Sequence, residues 1–188
     1  CGKAWLDVRQ ALDDLGIDAR VAAEIGLRLY KVGMVLPLER EGAREFAHGL
    51  EEVIVVEEKR AVIENQMKEQ LYNWREDVRP RVIGKFDEER NWILPSTDEL
   101  TPARIARVIA ARIARFHTSE RIDRRLAFLA EKEKALAVDR PLIKRIPYFC
   151  SGCPHNTSTK VPEGSRATAG IGCHTLAIFM NRNTATFT

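Results

Sequence analysis

Along the first two thirds of the chain, apolar residues recur every third or fourth position, a spacing that predicts helices packed on a core. Between residues 3 and 15, Ala4, Trp5, Val8, Leu12 and Leu15 fall on one face, Asp7, Arg9, Asp13 and Asp14 on the other, and Gly16 is a stop. Ala19 to Gly26 predicts a second, short helix. The pattern then changes: Leu27 to Val35 (LRLYKVGMV) predicts a strand, and Pro37 opens a short helix through Glu45 and Phe46. Within Glu52 to Glu58, Val53-Ile54-Val55-Val56 is an unbroken β-branched run, the mark of a parallel strand buried on both faces. Lys59 to Trp74 predicts a helix with Val62, Ile63, Met67, Leu71 and Trp74 on its apolar side, and Arg81 to Phe86 a further strand. Thr101 is a good N-cap and Pro102 a good first residue for a helix carrying Ile105, Val108, Ile109, Ile113 and Phe116.

Strands alternating with helices predict an α/β fold with a mostly parallel sheet over residues 1–116, its first strand expected ahead of Cys1. Residues 119–136 differ: Ile122, Leu126, Leu129 and Leu136 form one stripe among Glu and Lys, which predicts a charged connecting helix ending at Asp139-Arg140-Pro141. From Pro147 the chain turns to glycine, proline and cysteine. The expected organisation is an α/β domain over 1–116, a helical linker over 117–145 and the start of another domain over 146–188.

Composition adds little. With 188 residues, 45% hydrophobic and 30% charged, the chain has the balance of a globular protein. No apolar run approaches the ~18 residues of a membrane span, and a net charge of +3 is too small to argue for nucleic acid. The arginines at Arg104, Arg107, Arg112, Arg115, Arg121, Arg124 and Arg125 read as a solvated or interdomain helix face. The start Cys1-Gly2-Lys3-Ala4-Trp5 and the end Thr186-Phe187-Thr188 both look cut from a longer chain, and without a secretion signal the expected compartment is the cytoplasm.

The cysteines change the picture. Cys150 and Cys153, in Tyr148-Phe149-Cys150-Ser151-Gly152-Cys153-Pro154-His155-Asn156, can ligate one metal centre from a tight turn, and Cys173 follows in Ala169-Gly170-Ile171-Gly172-Cys173-His174-Thr175. Thiolates are the usual ligands of iron–sulfur clusters, about four to a four-iron cluster. The same residues, with His155 or His174, are open to a zinc site. Cys150 and Cys153 are also open to a redox pair, and all three to being ordinary buried thiols. Gly170 and Gly172 leave room for backbone to press against a flat cofactor, beside a helix expected to begin at Leu176, Ala177, Ile178 and Met180. His48 and His117 read as surface or capping residues, Glu57-Glu58-Lys59 as an interface salt bridge at a strand end, and Trp5, Trp74 and Trp92 as packing.

Cys150-Ser151-Gly152-Cys153 followed by Gly170-Ile171-Gly172-Cys173 resembles the Cys-x-x-Cys and Gly-Ile-Gly-Cys pair of the 2-oxoacid:ferredoxin oxidoreductase superfamily. The stretches Lys3 to Asp18, Leu29 to Glu39 and Val55 to Gln66 are similar to the long fused bacterial indolepyruvate:ferredoxin oxidoreductases, so that the chain looks like an internal fragment of one. The resemblance implies that the first domain is transketolase C-terminal-like and that residues from 146 open a thiamine-diphosphate-binding domain. It implies that Cys150, Cys153 and Cys173 ligate a [4Fe-4S] cluster, and that Ile171, Gly172, Cys173 and His174 lie against thiamine diphosphate. His174 stands where other branches carry Ser. The fourth cysteine, the Mg²⁺-diphosphate motif and the catalytic glutamate would lie outside this sequence, leaving it no catalytic residue of its own. The activity implied for the intact enzyme is oxidative decarboxylation of an aryl 2-oxoacid such as indolepyruvate to an acyl-coenzyme A. Its electrons would pass to ferredoxin, and the assembly would be a homo-oligomer.

Overall fold

The structure of the chain is a computed structural model that describes residues 2–137 and 145–186. Cys1 and the expected break at Asp139-Arg140-Pro141 lie outside the described residues. The chain divides into two compact units, Cys1–Ala137 and Val138–Thr188.

In the first unit, helix α1 (Gly2–Leu15) buries Ala11, Leu12 and Leu15. Gly16 ends it at φ +72°, a left-handed turn that glycine adopts without penalty. The short α2 (Ala19–Glu24) is capped by the Asp18 carboxylate, which accepts from the Val21 N–H at 2.9 Å. Helix α3 (Arg40–Ala47) starts at Glu39 rather than Pro37, because the Glu39 carboxylate accepts from the N–H groups of Glu41 and Gly42, each at 2.7 Å. Strand β1 (Glu52–Ile54), helix α4 (Val62–Leu71), strand β2 (Arg81–Ile83), helix α5 (Pro102–Ile113) and helix α6 (Glu120–Ala137) follow. Thr101 caps α5 as its sequence predicts, accepting from the Arg104 N–H at 3.3 Å.

The strands pair in parallel with Glu52 opposite Arg81, Val53 opposite Val82 and Ile54 opposite Ile83. The β-branched run is packed on both faces. Ile54 and Val56 meet the cluster formed by α1, α5 and α6, around Leu12, Leu15, Ile105 and Ile122. Val53 and Val55 meet the cluster formed by α3 and α4, around Ala43, Ile63 and Met67. The unit is therefore a three-layer α/β arrangement in which two parallel strands lie between helices.

Four expectations are corrected. Leu27–Val35 is not a strand: among the described residues, no backbone N–H from Arg28 to Leu36 finds an acceptor, so no ladder holds the segment extended. Arg112 is not on a solvated face. It is buried, and its guanidinium clasps both carboxylate oxygens of Glu52, with Glu88 as a further partner at 3.0 Å. Among the described residues Glu57 forms no salt bridge and takes another role. Its carboxylate accepts from the N–H groups of Val62, Ile63 and Glu64 at 3.0, 2.8 and 2.9 Å, capping α4 from the end of the sheet. Trp92, read as core or interdomain packing, lies outside the core: it is half exposed and stacks on Phe86 with ring centres 6.2 Å apart. The expected connecting helix is α6, and it packs on α1 and α5, so the first unit runs to Ala137. Among the described residues no helix is long and apolar enough to cross a membrane.

The second unit contains helix α7 (His155–Ser158), strand β3 (Ala167–Thr168), a 3₁₀ helix (Cys173–Phe179) and strand β4 (Thr184–Ala185). Strands β3 and β4 pair in parallel, Ala167 opposite Thr184 and Thr168 opposite Ala185. The helix expected from Leu176 is the 3₁₀ helix, which starts earlier, at Cys173.

Candidate functional site

The Cys-x-x-Cys segment forms a tight turn. The Cys153 N–H donates to the Cys150 carbonyl at 3.1 Å, and the Asn156 side-chain amide donates to the same carbonyl at 2.9 Å. Gly152 sits at φ +75°, which permits the turn. Pro154, in helical conformation, leads directly into α7, whose first residue, His155, places Nδ1 3.3 Å from the Cys153 sulfur. Phe149 anchors the turn: it is 5% exposed and stacks on His155 with ring centres 5.2 Å apart.

The Gly-Ile-Gly-Cys segment forms a second turn, tied on itself. The Gly170 N–H donates to His174 Nδ1 at 2.7 Å, and the Thr175 hydroxyl donates to the Gly170 carbonyl at 2.7 Å. A side chain at Gly170 would have its Cβ 3.2 Å from His174 Nδ1, a contact the turn has little room to accept. Gly172 sits at φ +93° with open space where a Cβ would be, so this glycine is required by conformation rather than by crowding. An imidazole that accepts at Nδ1 carries its proton at Nε2 when neutral, so His174 has one nitrogen committed to the turn and one left to donate.

The two turns meet through their histidines. The rings of His155 and His174 stack with centres 6.0 Å apart, extending the Phe149–His155 pair into a column of three rings. Arg182 adds a second tie, donating to the Asn156 carbonyl at 3.1 Å. The sequence leaves both histidines open as zinc ligands, and the resemblance sets His174 against thiamine diphosphate. In the structure both position the turns, and Phe149 anchors the first of them, its only sequence signal being its place beside Cys150.

The predicted ligands are placed as follows. Cys150 and Cys173 are exposed, Cys153 is partly buried beside His155, and all three are free thiols. Ile171 is 83% exposed at the tip of its turn. Among the described residues no three His, Cys, Asp or Glu side chains converge in a way that would hold a metal ion. The donor chemistry fits a thiolate-held cluster: three reduced thiols on two adjoining turns, against the roughly four such a cluster takes.

A second polar cluster lies in the first unit, at the ends of β1 and β2. Glu64 is 3% exposed. Its carboxylate accepts from the Lys85 backbone N–H at 2.9 Å and pairs with the Lys68 ammonium at 2.6 Å. The Lys85 ammonium donates to the Glu57 carbonyl, and burial pushes its pKa down against the pull of Glu57 and Glu64. No sequence signal marks Glu64 or Lys85 as buried, since each sits among ordinary charged neighbours.

The family described as "Indolepyruvate ferredoxin oxidoreductase middle domain" matches residues 1–139. The chain is 26% identical over 182 residues to "Indolepyruvate oxidoreductase subunit IorA" of Pyrococcus horikoshii and 27% identical over 182 residues to the protein of that name from Thermococcus kodakarensis. Each alignment covers 94% of this chain and 25% of the relative, so the chain spans about a quarter of the length of the curated proteins it matches. No solved structure matches it. The chain belongs to the indolepyruvate ferredoxin oxidoreductase family, of which residues 1–139 form the middle domain.

Proposed function

We propose that this chain is the part of a 2-oxoacid oxidoreductase where a transketolase C-terminal-like domain gives way to a thiamine-diphosphate-binding, iron–sulfur domain. The intact enzyme oxidatively decarboxylates an aryl 2-oxoacid of the indolepyruvate type to its coenzyme A thioester and hands the electrons to ferredoxin. One observation carries the reading: the Cys-x-x-Cys and Gly-Ile-Gly-Cys turns stand side by side, joined by the stacked rings of His155 and His174.

Cys150, Cys153 and Cys173 would supply three ligands of a [4Fe-4S] cluster, and Ile171, Gly172, Cys173 and His174 the surface against thiamine diphosphate, whose Mg²⁺ would be held by residues outside this sequence. Bound thiamine diphosphate supplies an electron sink for loss of carbon dioxide, and a thiolate-held cluster supplies one-electron transfer at low potential. The residues of this chain do the positioning. Phe149 and His155 fix the Cys-x-x-Cys turn, and Gly172 exposes the backbone of its turn to a flat partner. His174, fixed through Nδ1, can present Nε2–H to an acceptor. The second unit buries few large apolar side chains among its described residues, Phe149 being the main one. A metal centre is the usual cross-link of so thin a core.

Anaerobic iron, sulfide and zinc analysis of the intact enzyme tests the reading, with a visible spectrum and a Cys153→Ser variant. Iron and sulfide in near-equal amounts, lost in the variant, are expected. Zinc without sulfide would identify a structural metal site, and a metal-free protein would remove the cluster assignment.

A further inference from the structure

Among the described residues strand β1 has a neighbour on one side alone. Glu51 O accepts from the Arg81 N–H at 2.9 Å and the Val55 N–H donates to Ile83 O at 2.8 Å, both toward β2. Alternation along a strand turns the backbone groups of Ile54 and Val56 the other way, and β1–β2 is a two-stranded sheet, so that edge has no partner among the described residues. The open edge faces a cleft of about 450 Å³. Its walls come from both helical layers: Trp5 and Ile109 from one, Phe46 and Met67 from the other, with Leu27–Val32 along the far side. A gap in the plane of a sheet, floored and roofed by apolar side chains from opposite layers, has the shape of a missing strand. The segment across it, Leu27–Val35, has strand composition and no backbone N–H bonded from Arg28 to Leu36.

We propose that the cleft takes a parallel β-strand formed by the residues that lead into α1 in the longer polypeptide, lying between β1 and Leu27–Val35. Connection handedness selects this occupant. Parallel crossovers are right-handed in about 98% of cases. Helix α4 carries the chain from β1 to β2 on the face of Val53 and Val55. Helix α3 packs on the same face, so its crossover runs in the same direction and Leu27–Val35 must lie beyond the open edge of β1. Helix α1 packs on the opposite face, so its crossover runs the other way, and the strand feeding it falls between Leu27–Val35 and β1. The matched region covers 25% of the relatives' length, and the matching family is described as a middle domain, so the proposal draws on chain flanking such a domain. With it in place Leu27–Val35 pairs as the edge strand. The sheet order becomes Leu27–Val35, inserted strand, β1, β2, reversing direction between the inserted strand and β1 as doubly wound sheets do.

Hydrogen–deuterium exchange on the full-length polypeptide, resolved to single amides, tests this. The amides of Ile54 and Val56, the residues just before α1 and alternate amides of Arg28–Val32 are expected to exchange roughly 100-fold or more slowly than the exposed turn Asp87–Asn91, at every protein concentration. Protection that appears only as concentration rises would assign the cleft to a second copy and overturn the proposal. Slow exchange at Ile54 with fast exchange in the residues before α1 would assign it to another segment. Fast exchange at Ile54 and Val56 would show the edge to be open.

Discussion

The two units of this chain are stabilised in different ways. The first buries Leu15, Leu94, Leu100 and Ile105 at 1% exposure or less and fixes its helix ends with Asp18, Glu39, Glu57 and Thr101. The second, among its described residues, rests on strands of two residues each, one buried aromatic ring and the bonds within two turns. The contrast separates two kinds of information. Hydrophobic spacing reports where a core is, and it is strong where the core is large. Motif spacing reports chemistry and is strongest where the core is thin, because turns that hold a metal or cofactor are specified by Cys, Gly and His rather than by apolar faces.

The comparison can be broken most sharply in the first unit. Ile105→Ala removes a fully buried side chain from the cluster between α1 and α5 and should destabilise the unit by about 3–4 kcal/mol in chemical denaturation. Arg112→Ala leaves the carboxylate of Glu52, 6% exposed, without its main partner and should cost about 3 kcal/mol. The double variant Arg112→Met with Glu52→Leu should recover most of that loss, and a failure to recover would place the role of Arg112 elsewhere. Glu57→Ala frees three N–H groups at the start of α4 and should cost about 2 kcal/mol, with Glu57→Gln intermediate because one acceptor oxygen remains.

A titration sharpens the same network. The Glu88 carboxyl is held down from 4.5 to about 2, first by its own backbone N–H and then by the guanidinium groups of Arg112 and Arg115. A depressed folded-state value means that the contribution is present above pH 4.5 and is lost as pH falls from there toward 2. The melting temperature followed over that range should therefore fall less steeply in Glu88→Gln than in the parent chain. The smallest effect belongs to the second unit: Gly172→Ala, strained at φ +93° but clashing with nothing, should cost about 1 kcal/mol in local stability, read from exchange of the Gly170 and Thr175 amides.

Much of the first unit was legible in its residues. Helix α1 and its stop at Gly16, α5 with its Thr101-Pro102 start, and the buried parallel strand follow from local spacing and capping chemistry, which act over a few residues and need no knowledge of the rest of the chain. The Cys-x-x-Cys and Gly-Ile-Gly-Cys motifs were legible as residue types, and the structure adds that their turns adjoin through His155 and His174.

Hydrophobic periodicity predicted the α/β class and most helices of the first unit, and motif spacing marked the cysteines as residues open to metal chemistry. Tertiary structure alone decided that Leu27–Val35 has no ladder partner among the described residues, that Arg112 points inward to Glu52 and that Glu57 serves as a helix cap. It also decided that α6 belongs to the first unit. The physical reason is the same in each case. A strand exists only when a neighbour supplies its hydrogen bonds, and a charged side chain is buried only when a distant residue supplies its counterpart. The partner of Arg112, Glu52, lies tens of residues away, where no local pattern can register it, and even the nearby cap by Glu57 forms only once the chain turns from β1 into α4.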